Sequence, residues 1–216
     1  MRILILVQAT TDEPWNSIIE AQKRTWDSIE EEGVDTLYYY SGEQTKQEGK
    51  NLTVKLSNNH KLSHFRMKLA LDFIYDSNDP GYDYIFRTNA SSYVDKKRLK
   101  AWLQDKPKRN FYCGIDGGGF ASGCGFALST DLVNCLRTMD DYPSDSEDCL
   151  AGVWLERYAG IKVSPGAERY DYYFNHGSGP PLTYHYRCKS NDDDRTKDVK
   201  AFEHIFELLN GFKPNT

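Results

Sequence analysis

The stretch YDYIFRTNASSYVD, residues 82–95, decides the fold of this chain. It follows a turn-forming run at residues 78–81, and its aromatic-rich first half, residues 82–86, predicts a buried strand. The strand gives way to the polar run at residues 87–92, and Asp95 begins a helix-like segment. In open α/β sheets, ligands bind at the carboxyl ends of the strands. The polar run therefore lies where a binding site is expected.

Strand-like and helix-like segments alternate along the rest of the chain. The apolar run at residues 2–10 predicts a first strand, and the absence of glycine directly after it speaks against a dinucleotide fingerprint or a P-loop. Further strands are predicted at residues 35–41, 51–56, 110–115, 160–163 and 182–189. Helices are predicted at residues 14–31, 60–75, 95–105, 130–138, 144–158 and 199–209. This order predicts an α/β fold with a central, mostly parallel sheet flanked by helices.

Length and composition limit the classes of function. A chain of 216 residues predicts one domain, and a net charge of -5 gives no indication of a nucleic-acid partner. The five cysteines are an odd number without a CxxC pair, which favours a reducing compartment and a cytoplasmic location. No apolar run reaches the length of about 18 residues that a membrane span needs, so no membrane anchor is expected.

A glycine-rich segment at residues 116–129, DGGGFASGCGFALS, is predicted to be a loop. Its five glycines in nine residues predict either that the backbone approaches another group closely or that tight turns are needed. Neither the dinucleotide pattern nor the P-loop pattern is present, so a phosphate cradle is only weakly indicated. Asp116, at the start of the segment, is a candidate ligand for a sugar hydroxyl or a metal.

Arg87-Thr88 and Tyr93-Val94-Asp95 bracket the triplet Asn89-Ala90-Ser91. This arrangement resembles the metal-binding segment of nucleotide-sugar glycosyltransferases of the Rossmann-like glycosyltransferase-A fold, particularly the fringe and β-1,3-galactosyltransferase group. The resemblance implies that Arg87, Thr88, Asn89 and Ser91 contact the donor, and that Mn²⁺ or Mg²⁺ lies against its diphosphate. The family has Asp-x-Asp where this chain has neutral oxygen ligands, whereas hard cations favour carboxylates.

Three more segments are similar to the same family and follow its order. Residues 22–26, which contain Arg24, resemble its Arg-x-Thr-Trp signature, and residues 121–132, which contain Gly123, resemble the segment that lines the donor sugar and acceptor. Residues 147–152 resemble its Glu-Asp-Val-x-x-Gly motif. There the resemblance implies that Asp148 is the general base of an inverting transfer, although acids at a helix start are usually structural. Thr10, at the end of the first strand, is a further candidate donor contact.

The predicted strand at residues 182–189 places His185, Arg187 and Lys189 on one face. The resemblance implies that a late histidine completes the metal site and that basic neighbours contact the diphosphate. His185 is preferred to His176, because a strand fixes a ligand better than a loop does. The expected metal ligands are therefore Asn89, Ser91 and His185.

The resemblance implies transfer of a hexose of the glucose, galactose or rhamnose type from a UDP-sugar to a hydroxyl of a glycan acceptor, assisted by Mn²⁺ or Mg²⁺. Whether the transfer inverts or retains the anomeric configuration stays open. The alternatives are a catalytically silent sugar- or nucleotide-binding module and, less favoured, a nucleotidyltransferase. Residues 1–190 are expected to form the catalytic domain, with a linker and a C-terminal helix at residues 191–216 packed on it. The whole is similar to the first domain of a chlorella-virus-type multidomain glycosyltransferase, with further domains expected C-terminal to it.

Overall fold

The computed structural model describes residues 1–76, 80–139, 146–174, 180–191 and 195–211. Several residues singled out by the sequence lie outside the described residues: Asn78, Asp79, Ser144, Asp145, His176 and Asp192–Asp194. The strands are β1 (Ile3–Gln8), β2 (Val34–Gly42), β3 (Lys46–Glu48), β4 (Asn51–Lys55), β5 (Tyr84–Asn89), β6 (Ser92–Val94), β7 (Tyr112–Asp116), β8 (Ala121–Ser129), β9 (Tyr170–Asp171) and β10 (His185–Arg187). The helices are α1 (Trp15–Arg24), α2 (Ser63–Asp76), α3 (Lys96–Leu103), α4 (Val133–Arg137), α5 (Glu147–Ala159) and α6 (Thr196–Asn210).

Seven strands form the main sheet in the order β3-β4-β2-β1-β5-β8-β7. β1, β2, β4 and β5 run parallel, β3 and β8 run against them, and β7 is antiparallel to β8. Five of the seven strands therefore point in one direction, which confirms the predicted α/β class with a mostly parallel sheet. The carboxyl ends of β1 and β5 lie side by side, because Gln8 is in register with Asn89.

β1 is buried on both faces, as its unbroken apolar run predicts. Ile3, Ile5 and Val7 enter one hydrophobic core, whereas Leu4 and Leu6 enter the other. The first core also contains residues of α1, α3, α6 and the second sheet, and the other contains residues of α2, α4 and α5. The helices thus cover both faces and leave the carboxyl edge of the sheet for the site.

A second, three-stranded sheet has the order β6-β10-β9 and follows directly from the central strand. Tyr186 of β10 pairs with Tyr93 of β6, and both rings lie in the first core. α6 packs on α1, and its residues Phe202 and Ile205 are fully buried in the first core. The small sheet therefore fixes β10, which carries the predicted basic residue Arg187 and is followed by Lys189.

Three sequence predictions are wrong in detail. The predicted helix 14–31 ends at Arg24 and is followed by a short 3-10 turn, where the Thr25 hydroxyl donates to the Ala21 carbonyl at 2.5 Å. The glycine-rich segment is a strand over Ala121–Ser129, paired with β5 and β7, so it is a loop only at its start. Residues 160–163 form no strand.

No helix among the residues that the structure describes is both long and apolar enough to cross a membrane.

Candidate functional site

A cleft of about 580 Å³ opens at the carboxyl ends of β1 and β5, beside the first residues of β8 and α5. Ligands of open α/β sheets bind at this edge. The volume is typical of sites for small molecules. The lining residues are Gln8, Ala9, Thr10, Asp12, Trp15, Asn58, Ser63, Arg66, Arg87, Asn89, Ala90, Ser91, Ser122, Gly123, Cys124, Ser146, Glu147, Asp148, Arg187 and Lys189.

Arg87 and Glu147 form a buried ion pair in the wall of the cleft. Their side chains are 3% and 4% exposed, and Arg87 Nε donates to Glu147 Oε1 at 2.9 Å. The Tyr39 hydroxyl donates to the same oxygen at 3.0 Å, and Arg87 also donates to the side chain of Gln8 and the carbonyl of Gly123. The pair therefore ties β5 to β1, β8 and α5 directly below the site.

Burial raises the pKa of Glu147 above its ordinary value, and Arg87 opposes this change. Burial disfavours the charged Arg87 guanidinium, but Glu147, Tyr39 and Asp148 together outweigh burial and raise the pKa of Arg87. Each residue thus stabilises the charged form of the other. This pair is not free to take part in proton transfer at neutral pH, because removing either charge would leave its partner buried and unpaired.

Asp148 lies in the first turn of α5, with its carboxylate held from two sides. Oδ2 accepts from the backbone N–H of Gly123 at 2.5 Å, and Oδ1 accepts from the hydroxyl of Ser146 and from the N–H of Cys149 at 3.1 Å. A carboxylate is favoured there, because the N-terminus of a helix carries partial positive charge. Asp148 is half-buried and lines the cleft, so it is a fixed acceptor for protons or hydroxyl groups.

Gly123 allows the close approach that holds Asp148. A Cβ atom at this position would lie 2.9 Å from Asp148 Oδ2 and 3.1 Å from Arg87 Nη1. Neither group has room to move, because each makes several hydrogen bonds. The glycine predicted to line a ligand therefore admits backbone contact with both charged side chains.

Eight of the predicted site residues line this one cleft. Thr10 lies at its rim, where Asp12 Oδ2 accepts from the hydroxyl of Thr10 at 3.2 Å and from the Asn58 amide at 2.6 Å. The eight are Thr10, Arg87, Asn89, Ser91, Gly123, Asp148, Arg187 and Lys189. Their individual roles stay predictions.

Arg24, Thr88 and Asp116 do not line the cleft. Arg24 instead pairs with Glu203 of α6 at 2.8 Å, and the fully buried Thr88 donates its hydroxyl to the Cys124 carbonyl. Asp116 is exposed and accepts from the N–H groups of Gly118 and Gly119, which lower its pKa. The geometry thus assigns these residues to helix packing, strand pairing and a turn.

His185 also lies outside the lining of the cleft, at 2% exposure in the core. Its Nε2 lies 3.1 Å from the hydroxyl of Ser92, and its ring packs edge-on against Phe86. Gly125 leaves room for the ring, because a Cβ there would lie 2.5 Å from His185 Cε1. The side chain faces the junction of β5, β8 and β10 rather than the predicted metal ligands Asn89 and Ser91.

His185 is expected to make the fold sensitive to acid. Burial, with help from Arg169, lowers the pKa of the imidazole from 6.5 to about 3. The unfolded chain therefore binds one more proton between these values, and stability falls as the pH falls through this window. The loss in the free energy of unfolding is about 1.6 kcal/mol between pH 6.5 and pH 5.

Urea denaturation at pH 6.5 and pH 5 measures this effect. His185→Gln is expected to lose less stability over that interval than the parent chain, by about the same amount. His204→Gln, in an exposed position on α6, is the matched control and should keep the parent pH dependence. An unchanged acid sensitivity in His185→Gln would show that the histidine is not held neutral.

The donor atoms of the cleft do not fit a divalent metal. Over the described ranges, no three His, Cys, Asp or Glu side chains are grouped so that they could hold one. Asn89 Oδ1 accepts from the N–H of Ser91 at 3.0 Å, and Ser91 Oγ accepts from Arg195 Nη2 at 3.4 Å. Mn²⁺ and Mg²⁺ prefer several carboxylate oxygens, but the three acids of the cleft, Asp12, Glu147 and Asp148, already accept hydrogen bonds from protein groups. The predicted ligands Asn89, Ser91 and His185 therefore do not form a metal site in this geometry.

Arg66 lines the cleft, although its place in the sequence favours a solvated charge over a contact with a diphosphate. It lies on the buried side of α2, with Leu62 and Leu69 one turn away on either side, and its side chain is 4% exposed. That spacing, with a cation inside an apolar stripe, was the available signal. Glu147, the partner of Arg87, was missed because acids in a first helical turn are usually solvated.

Sequence comparison gives no match, either to models of protein families or to curated proteins. Comparison with solved structures, in contrast, gives matches. The chain matches the crystal structure of a glycosyltransferase involved in the glycosylation of the major capsid of PBCV-1, at 13% identity and a TM-score of 0.56, over 94% of this chain and 100% of that one. It also matches the galactosyltransferase LgtC in complex with donor and acceptor sugar analogs, at 10% identity and a TM-score of 0.48, over 96% of each chain. The match at a TM-score of 0.56 shows that the chain has the glycosyltransferase-A fold that the sequence predicts.

Proposed function

We propose that this protein is a glycosyltransferase that transfers a hexose from a UDP-sugar to a hydroxyl group of a glycan. One observation carries the proposal: the fixed carboxylate of Asp148 shares a cleft with three basic side chains, Arg66, Arg187 and Lys189. The cleft lies at the sheet edge where α/β proteins bind their ligands. A carboxylate suits an acceptor hydroxyl, and basic groups suit a diphosphate.

The mechanism follows from these two kinds of group. The acceptor hydroxyl oxygen attacks the anomeric carbon of the donor sugar, and Asp148 takes the proton as the new C–O bond forms. The bond between the anomeric carbon and the diphosphate oxygen breaks, and its electron pair leaves with UDP. Basic side chains stabilise the charge that grows on the departing diphosphate, and such electrostatic help is usually the largest contribution to rate. This direct displacement inverts the anomeric configuration.

The wall of the cleft contains an aromatic side chain against which the base or the sugar ring of the donor can pack. Trp15 lines it, and the guanidinium of Arg195 lies 4.3 Å from the centre of the Trp15 ring. A cation over one face of an aromatic ring keeps the ring in a fixed position. Trp15 is therefore placed to pack against a base or a sugar ring.

A silent binding module is the second candidate. It is favoured by the triplet Asn89-Ala90-Ser91, which has no carboxylate where the resembled family has Asp-x-Asp for its metal. Such a module would bind UDP-sugars through the basic side chains but would leave the sugar attached.

Product analysis separates the two functions. The full chain is incubated with UDP-glucose, UDP-galactose or UDP-rhamnose and a set of glycan acceptors. The masses of the acceptors are then measured by mass spectrometry. The proposal expects one donor to add a single sugar residue to an acceptor, with release of UDP. Binding of UDP-sugars without any product would support the silent module instead.

A further inference from the structure

The cleft is lined by more cationic side chains than carboxylates. Arg87 is paired with Glu147, whereas Arg66 helps to lower the pKa of Glu147 but makes no ion pair with any residue in the described part of the chain. Its Nη atoms donate only to neutral oxygens, the Ala9 carbonyl and the Asn58 amide, each at 3.3 Å. Its Nε is buried and has no hydrogen-bond partner there. A guanidinium buried in this way favours an anion beside it.

Arg187 and Lys189 provide the other basic groups. The nearest carboxylate to Arg187 is that of Asp171, 3.6 Å from its Nη1, and Asp171 also pairs with Arg169 at 3.2 Å. The Nε of Arg187 is buried and has no partner among the described residues. Lys189 is exposed at the cleft and makes no ion pair within the described ranges. Arg187, at the end of β10, thus shares one carboxylate with Arg169, and Lys189, just beyond the strand, pairs with none among the described residues.

The three cations reach the cleft from opposite faces of the main sheet. Arg66 belongs to α2, whose buried residues lie in the core that contains Leu4 and Leu6. Arg187 belongs to β10, whose Tyr186 lies in the core on the other face. The basic groups therefore bracket the sheet edge, which is the arrangement expected for an anion bound across the strand ends.

We propose that Arg66, Arg187 and Lys189 bind the diphosphate of the nucleotide sugar directly, in place of a divalent metal. This inference rests on the proposed function and adds how its leaving group is stabilised. When the anomeric C–O bond breaks, the diphosphate oxygen gains the electron pair, and a guanidinium offers two parallel N–H donors to such an anion. A fixed cation supplies the same electrostatic stabilisation that a metal supplies elsewhere.

Calorimetric titration of the full chain with UDP tests the inference, once in EDTA and once in Mn²⁺. The two dissociation constants are expected to agree within about twofold, and Mn²⁺ alone should give no saturable heat. Arg187→Gln and Lys189→Gln should each weaken UDP binding about 10-fold or more, because a hydrogen bond to a charged group contributes about 1.5–3 kcal/mol. Binding of uridine, which lacks phosphate, should be unchanged in both variants.

The controls separate this inference from the proposed function. Arg109→Gln removes a cation that is mostly exposed and lies outside the cleft, so it should bind UDP like the parent chain. Arg187 and Lys189 are only partly buried or exposed, so both variants should keep the parent unfolding curve. UDP binding that requires Mn²⁺, or that ignores both substitutions, would overturn the inference alone. No UDP binding in either buffer would overturn the proposed function as well.

Discussion

Asp148→Asn is expected to lower the rate of sugar transfer by about 10²–10⁴-fold, which is the usual contribution of a positioned general base. The amide cannot take the acceptor proton. It keeps the shape of the carboxylate and loses only the bond from the N–H of Cys149, since its oxygen accepts from the N–H of Gly123 and its NH₂ donates to the hydroxyl of Ser146. UDP affinity should therefore stay within about twofold of the parent value. Initial rates of UDP release and calorimetric titration measure the two quantities.

Asp116→Asn is the matched control for this substitution. Asp116 lies outside the cleft and accepts from the N–H groups of the glycine turn, so the control should transfer sugar at the parent rate. Near-normal turnover in Asp148→Asn would contradict the base role. In that case the transfer would follow a same-face route that retains the anomeric configuration, and Asp148 would only position the acceptor.

The second large effect concerns stability, at the buried pair of Arg87 and Glu147. Arg87→Leu leaves the Glu147 carboxylate buried without its cation, and Glu147→Leu leaves the guanidinium without its anion. Each single variant is expected to lose about 3–5 kcal/mol in the free energy of unfolding. The double variant Arg87→Leu/Glu147→Leu should lose less than either, because no charge is then left buried and unpaired.

Urea denaturation of the four chains at pH 7 forms a double-mutant cycle that measures the coupling. Lys162 and Glu156 supply a control pair, which is exposed and joined at 3.1 Å. Lys162→Ala should change stability by less than about 1 kcal/mol. Single cleft variants that lose no more than this control would show that the buried pair does not hold the sheet edge together.

Much of the scaffold could be predicted because its signals are local. The unbroken apolar run of β1, the turn before β5 and the polar residues after it place two neighbouring strand ends at the site. Since carboxyl ends of parallel strands meet at one edge, Thr10, Asn89 and Ser91 were expected to come together. They do line one cleft.

The contacts that depend on how deeply a side chain is buried could not be predicted. Alternation on the segment 182–189 gives the shared face of His185, Arg187 and Lys189, but it does not tell how far each lies from the surface. His185 is 2% exposed, whereas Arg187 is partly buried and Lys189 is exposed. The histidine that the resemblance linked to a metal therefore lies in the core, and only its basic neighbours reach the cleft.

Glycine content was misleading for a related reason. The segment after Asp116 looked like a loop, yet Gly123 and Gly125 lie in β8, where they leave room for Asp148 and His185. A glycine needed for close approach and a glycine needed for a turn look the same in a sequence. Only the positions of the facing side chains distinguish them.

The central claim is that UDP-sugars bind in this cleft, and a crystal structure of the chain with UDP tests it most directly. The account predicts the diphosphate at the sheet edge, within hydrogen-bond distance of Arg187 or Arg66, with the Asp148 carboxylate on the side where the sugar would lie. UDP found elsewhere on the chain, or no bound UDP at millimolar concentration, would contradict it.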